Sequence, residues 1–221
     1  MGIDRGVKTI ANVTMMDDVL LLLSGASGAG KSSVREGIAA TPAPEVTAVE
    51  LRDLDTIPQT PTLEWRQRMA ERAVLRAQEL DSYGRHLLLA GDPVAPGEVV
   101  AAPSAPTIDI AVCLLDIDET AQRERLRRRG DPEQHLGSHV AFADWMRRHA
   151  RDPRHMPHVL QAGGWQAMRW SRLTDMPVDR WRISVIDGSN LTKPQANQAV
   201  LQWVVDAIEG RAPGFKRPWK P

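Results

Sequence analysis

The sequence predicts an α/β protein built on a single parallel sheet, and three observations point to it. Short apolar blocks of strand length alternate along the chain with longer segments of helical periodicity. Unusual polar residues follow directly after those blocks, at the carboxyl edge where such sheets hold their ligands. The first block, Val19-Leu20-Leu21-Leu22-Leu23, runs into Gly25-Ala26-Ser27-Gly28-Ala29-Gly30-Lys31-Ser32 and then into a helical segment that stops at Pro42.

At 221 residues and 42% apolar composition, the chain suits one domain with an insertion and a normal core. The formal net charge is zero, which argues against a dedicated nucleic-acid or membrane-surface binder. The single cysteine, Cys113, lies in an apolar run and reads as a small buried hydrophobe. No apolar stretch reaches membrane-spanning length and no signal-peptide pattern opens the chain. The expectation is a cytoplasmic monomer or homodimer.

Residues 1–17 read as an N-terminal extension, residues 18–210 as the domain, and 211–221 as a loose tail. Within the domain, Glu45 to Leu51 is the second strand, leading to Arg52-Asp53-Leu54-Asp55. Thr60-Pro61 offers a cap for a helix from Thr62 to Ser82, whose stripe is Leu63, Met69, Ala70, Ala73, Val74, Ala77 and Leu80. His86 to Ala90 is the third strand, and Val94 to Pro106 a Pro/Ala/Gly-rich connection. Ile108 to Leu115 is the fourth strand, Glu119 to Arg129 an arginine-dense helix, and 130–178 a polar insertion with helical pieces, one capped by Ser138. Trp181 to Ile186 is the fifth strand, and Lys193 to Ile208 the closing helix.

Strand, Gly-x-x-x-x-Gly-Lys-Ser and helix together make a phosphate-binding loop. Glycines let the backbone turn its N–H groups inward at a helix N-terminus, forming an anion nest. Lys31 can reach the β- and γ-phosphates, and the Ser32 hydroxyl can ligate Mg²⁺. ATP and Mg²⁺ are therefore the expected cofactors. Asp53 and Asp55, two residues apart in extended chain, would point to one side and divide metal and proton work between them. Asp92 and Asp116 each follow an apolar strand, and both are candidates for the metal-side carboxylate.

Arg123, Arg125, Arg127, Arg128 and Arg129 crowd less than two helical turns and point in several directions, the plain reading of each being a solvated face paired with Glu119 and Glu124. One delivered to a transferring phosphoryl group would speed transfer greatly. His135 and His139 have a helical ligand spacing, but no cysteine supports them and Pro153 and Pro157 break the geometry, so packing is expected. Trp145, Trp165, Trp170 and Trp181 read as core packing, with a stacking wall for a planar substrate as the alternative.

These residues resemble the nucleoside-monophosphate-kinase-like group of small P-loop kinases, of the shikimate- and gluconate-kinase type. The loop fits the spacing Gly25-x-x-Gly28-x-Gly30-Lys31-Ser32. Asp53-x-Asp55 is similar to the group's Asp-x-Asp, with the first acid near magnesium and the second on the acceptor hydroxyl. Trp65-Arg66 stands where shikimate kinases have Phe-Arg, the arginine holding the acceptor. Arg125-Leu126-Arg127-Arg128-Arg129 is similar to the base of their lid, where one arginine stacks on adenine and another meets phosphate. The glutamate that follows Phe-Arg is absent, Met69 taking its place, and Ala90-Gly91-Asp92-Pro93 replaces a run of glycines. The overall look is also similar to small P-loop proteins labelled AAA-family ATPases.

The resemblance implies a three-layer P-loop NTPase fold with a five-stranded parallel sheet in the order 2-3-1-4-5 and 130–178 as a helical lid. It implies a nucleotide site made of Gly25, Ala26, Ser27, Gly28, Ala29, Gly30, Lys31, Ser32, Ser33 and Arg125. Lys31, Asp55 and Arg129 would be catalytic, Ser32, Asp53 and Asp92 would surround the metal, and Asp55, Trp65 and Arg66 would hold a small hydroxylated acceptor. The expected activity is transfer of the γ-phosphoryl group of MgATP to a hydroxyl. A regulatory ATPase whose 130–178 segment grips a protein partner is the alternative.

Overall fold

The computed structural model describes residues 19–41 and 45–217, so the expected extension 1–17 and the end of the tail lie outside the described residues. Five strands form one sheet: β1 (Val19–Ser24), β2 (Val46–Val49), β3 (His86–Leu89), β4 (Asp109–Asp116) and β5 (Ser184–Asp187). All neighbours are parallel and the order is β2-β3-β1-β4-β5. The helices are α1 (Lys31–Ala39), α2 (Leu63–Asp81), α3 (Pro96–Val100), α4 (Glu119–Arg129), α5 (Glu133–His149), α6 (His158–Gln161), α7 (Ser171–Thr174) and α8 (Lys193–Ile208).

The unbroken leucines of β1 follow from burial on both faces, since a central parallel strand needs apolar side chains on either side. Leu20 and Leu22 join Leu87, Leu89, Ile110 and Val112 under α2 and α3. Leu21 and Leu23 join Leu88, Ala111, Cys113 and Leu115 under Val34 and Ile38 of α1 and Val200, Trp203 and Val204 of α8. Each buried leucine contributes about 1.5–3 kcal/mol, so the middle strands anchor the loop that leaves β1. Cys113 is wholly buried, as expected, and burial pushes its thiol up to about 12. Among the described residues, no helix is long and apolar enough to cross a membrane.

Several element boundaries differ from expectation, each for a local reason. β2 stops at Val49, because Glu50 opens a 3₁₀ turn over Leu51–Asp53. Thr62, not Thr60, caps α2, its Oγ1 accepting from the Trp65 N–H at 3.1 Å. The Val94–Pro106 connection contains α3, all five residues of it buried, because small side chains let it nest beneath α5 and α7. A Cβ on Gly97 would lie 2.7 Å from His149 Nε2. α5 begins at Glu133, leaving Ser138 inside the helix, where it cannot cap. β5 starts only at Ser184, since Trp181 turns into the core and its Nε1–H donates to the His149 carbonyl at 2.8 Å.

The described part of the tail is docked. Phe215 is buried and pairs antiparallel with Ile110, while Lys216 reaches Asp109 at 2.9 Å. Much of 130–178 is also fixed to the body. Trp145, Met146, Ala150 and Leu160 pack with Leu114 and Ala95, and Gln67 of α2 is wholly buried between the Leu160 carbonyl and the Trp165 N–H. A polar insertion is thus packed on the body through a few apolar side chains of α5 and α6.

Candidate active site

The loop after β1 is shaped by its glycines. Gly28 and Gly30 take φ of 85° and 103°, a region side chains rarely enter. At Gly25 a Cβ would meet the Leu115 carbonyl oxygen at 2.5 Å, so only glycine lets the loop leave beside β4. Gly30 caps α1 with no side-chain bond, and no acid occupies the first turn. The free N–H groups and the positive end of the helix dipole therefore face the cleft.

That cleft has a volume of about 630 Å³ and is walled by residues 27–34, Gly91, Arg125, Arg128, Arg129 and the start of α8. Lys31, Arg125, Arg128, Arg129 and Lys193 put five cations on its wall, and no carboxylate is among the lining residues described. Lys31 is 4% exposed and its Nζ donates to the carbonyls of Gly25 (2.7 Å) and Ala26 (3.0 Å). Burial pulls this ammonium down to about 8, with Asp92 opposing the fall and Arg129 adding to it. Arg125 spans the cleft floor, donating to the carbonyls of Ala29 at 3.3 Å and Gly188 at 2.8 Å. Arg129 is held by Asp131 through two bonds of 2.6 and 2.7 Å.

The residues named for the nucleotide are therefore brought together, from Ser27 to Ser33 with Arg125, and Arg129, named as catalytic, joins them on the cleft wall. Gly25 and Ala26 face the lysine through their carbonyls instead. The acids fare differently. Asp53 lies in the 3₁₀ turn and accepts from the Glu50 N–H at 2.8 Å, so it is a capping residue here. Asp55 is exposed and faces Arg72 at 3.5 Å. The expectation that both point one way from extended chain fails because the chain coils as soon as β2 ends.

Asp92 accepts from the Leu51 N–H at 2.8 Å and lies close enough to Lys31 to raise its proton affinity. Asp116 is engaged by Arg147 at 2.8 Å, and burial raises its pKa despite that partner. Of these two, Asp92 is the one beside the loop. Trp65 packs on the core. Arg66 pairs with the fully buried Glu98 at 2.8 Å, so α3 supplies an acid that the α2 sequence lacks.

The tryptophan wall is not found. Trp145 and Trp181 are buried, Trp170 packs against the core, and Trp165 is covered by Arg68 at 4.8 Å. His149 is buried too, stacked on Trp145 and accepting from the Gly97 N–H at 3.1 Å. His139 faces Asp131 at 3.7 Å.

Sequence reading missed two groups. Leu191, Thr192, Lys193, Ala196 and Asn197 wall the cleft. Their signal was the capping box Thr192-x-x-Gln195 just past the last strand, which places a helix start at the carboxyl edge of the sheet. Glu50 is the acid at the true end of β2, paired with Arg35 at 3.2 Å and Arg52 at 2.6 Å. Its carboxylate abuts Gly91, where a Cβ would lie 2.7 Å from Oε1. No sequence signal set it apart from the other acids.

Oxygen donors fit magnesium better than nitrogen or sulfur ones. Ser32 on the cleft wall and Asp92 beside Lys31 are of that kind. Among the described residues, no three His, Cys, Asp or Glu side chains form a metal cage of their own. Such a donor set suits an ion that shares its shell with phosphate oxygens.

No family model and no curated protein matches the sequence. Solved structures do. The Deinococcus radiodurans tunicamycin resistance protein superposes with a TM-score of 0.54 at 12% identity, over 85% of this chain and 95% of that one. The likeness is one of fold, a five-stranded parallel sheet of order β2-β3-β1-β4-β5 with helices around it. A gluconokinase from Sinorhizobium meliloti 1021 matches with a TM-score of 0.48 at 16% identity, over 88% of this chain and 95% of that chain. A chain of the Pnkp1/Rnl/Hen1 RNA repair complex matches with a TM-score of 0.45 at 16% identity over 63% of this chain, which spans about half (48%) of that one.

Proposed function

We propose that this protein is an ATP-dependent phosphotransferase that moves the γ-phosphoryl group of MgATP to a hydroxyl of a small molecule. The observation that carries the reading is the cleft wall: five cations, no acid among the described lining residues, and a glycine nest at the foot of α1. An anion with several negative charges is what such a wall is built to hold.

In this reading the loop N–H groups and Lys31 take the β- and γ-phosphates, Lys31 exchanging its carbonyl partners for phosphate oxygens. Ser32 and Asp92 would hold Mg²⁺, which would supply neutralisation of the phosphates' negative charge when bound. Asp53 could join them only by giving up the Glu50 N–H, and the Glu50 carboxylate abuts Gly91. Arg125 would meet the base, and Arg129 would leave Asp131 for the transferring group. Asp55 would orient the acceptor hydroxyl after movement of the exposed residues around it, with Trp65 and Arg66 behind it. Catalysis would be positioning and charge neutralisation.

The test is ATP consumption by the purified protein against a panel of polyols, sugar acids, aminoglycosides and nucleosides. A single acceptor class that raises turnover at least tenfold is expected. Equal ATP consumption with and without every acceptor, or no stabilisation by a non-hydrolysable MgATP analogue, would overturn the proposal.

A further inference from the structure

The phosphate loop is tied to α4 by one buried amide. Gln122 is 0% exposed, and its Nε2 donates to the Ser27 carbonyl at 2.9 Å and to the His139 carbonyl of α5 at 3.2 Å. Its Oε1 is buried without a partner. Below it the loop lies flush on the helix: a Cβ on Gly28 would meet Leu126 at 3.2 Å and Gln122 Cγ at 3.6 Å.

An orphaned buried carbonyl oxygen is costly, and an apolar side chain of the same length would avoid it. What an apolar chain could not supply is the pair of N–H donors. Ser27 C=O and Gly28 N–H belong to one planar trans peptide unit and so point in opposite directions. Holding the Ser27 oxygen against α4 therefore aims the Gly28 N–H away from α4, and Ser27 and Gly28 both lie on the cleft wall.

We infer that Gln122 is the positioning residue of the phosphate nest: it presets the Ser27–Gly28 peptide before any ligand arrives and ties the nest to α5. The inference rests on the reading that the cleft takes nucleotide phosphates. Arg125, three residues further along α4, holds the Ala29 carbonyl in the same manner. It is a side chain that the bound nucleotide can recruit, whereas the neutral amide stays. α4 thus grips the loop at two carbonyls, one grip permanent and one exchangeable. Gln122 touches no reacting atom and works by preorganisation, which lowers the ordering cost of binding.

The experiment is calorimetric titration of the wild type and Gln122→Met with a non-hydrolysable MgATP analogue, inorganic tripolyphosphate and adenosine. Loss of one good hydrogen bond's worth of preorganisation should raise Kd about tenfold for the two phosphate ligands. Kd for adenosine and the count of one site per chain should not change. A merely structural role would instead lower the number of competent sites at unchanged Kd, and that result overturns the inference.

Equal Kd values in both proteins overturn it as well. Failure of the wild type to bind either phosphate ligand sinks the functional reading beneath it and is told apart by that fact. Should Gln122→Met not fold, amide relaxation dispersion on the ligand-free wild type decides. A preset Gly28 N–H shows no microsecond–millisecond exchange, and strong exchange there refutes presetting.

Discussion

The two walls at the carboxyl edge of the sheet hold their charges differently. On the loop and α4 side, Lys31 and Arg125 bond to backbone carbonyls with no carboxylate within ion-pair distance of either among the described residues, while Arg128 and Arg129 pair with Glu124 and Asp131. On the α2 and α3 side, charges are already spent on one another: Arg66 on Glu98, Asp55 on Arg72, Glu50 on Arg35 and Arg52. A cation bound only to neutral carbonyls gains more from a phosphate than it gives up, because charge-assisted bonds are about twice as strong. A cation locked to a buried carboxylate gains little. In the proposed function, Lys31 and Arg125 of the first wall are the cations open to an anion, and the second wall is a scaffold that an acceptor must fit or partly open.

The largest effect should come from the first wall. Lys31→Ala is expected to lower MgATP turnover by about 10³-fold or more and to leave the circular-dichroism spectrum unchanged, since the ammonium serves charge more than packing. Wild-type turnover in the folded variant would end the distinction between the walls. The wild type should also show affinity for tripolyphosphate falling as pH rises through about 8, where Lys31 loses its charge. The ligand-free protein should behave oppositely. From pH 8 toward 10.5 the unfolded chain holds the proton more tightly, so this residue adds stability as pH rises.

Next come the carboxylates. Asp92→Asn should shift the Mg²⁺ requirement of turnover upward by about tenfold to a hundredfold. Asp55→Asn should abolish acceptor-dependent turnover while leaving MgATP affinity unchanged, read by paired kinetic and binding titrations. If Asp55→Asn turns over normally, its pairing with Arg72 is its whole role and the acceptor site needs another acid, Glu50 first.

A matched pair of arginine variants then sharpens the contrast. Arg66→Ala strands a buried carboxylate and should cost on the order of 3 kcal/mol of stability in urea unfolding. Arg125→Ala strands nothing charged and should cost under about 1 kcal/mol while weakening MgATP binding about tenfold. Reversed outcomes would mean that the walls have been assigned the wrong way round.

A further effect lies away from both walls. Burial pulls His149 down from 6.5 to about 4, with His155 adding to the fall and Asp152 opposing it. The group therefore contributes stability above pH 6.5 that is lost as pH falls toward 4, about 2 kcal/mol of it by pH 5. Replacing it by phenylalanine should flatten the acid limb of the melting-temperature profile. An unchanged acid limb would show that His149 protonates without opening the α3–α5 contact.

The sequence by itself determined the sheet, the phosphate loop and the closing helix, because each rests on short-range chemistry. A run of leucines needs two buried faces, glycines at fixed spacing permit one turn, and Thr192 with Gln195 starts one helix. It also placed Lys31 and Ser32, whose positions follow from the loop's own geometry. The partners of charged groups were decided only by tertiary structure. Whether Asp53 meets a metal or the Glu50 N–H depended on β2 ending two residues early. The acid for Arg66 came from α3, 32 residues away, and Gln122 reached Ser27 across 95. An ion pair's range is a few ångströms in space and carries no period along the chain, so no spacing announces it. The same holds for 130–178, where Trp145 and Met146 of α5 and Leu160 of α6 meet Leu114 and Ala95 in contacts that no spacing in the segment announces.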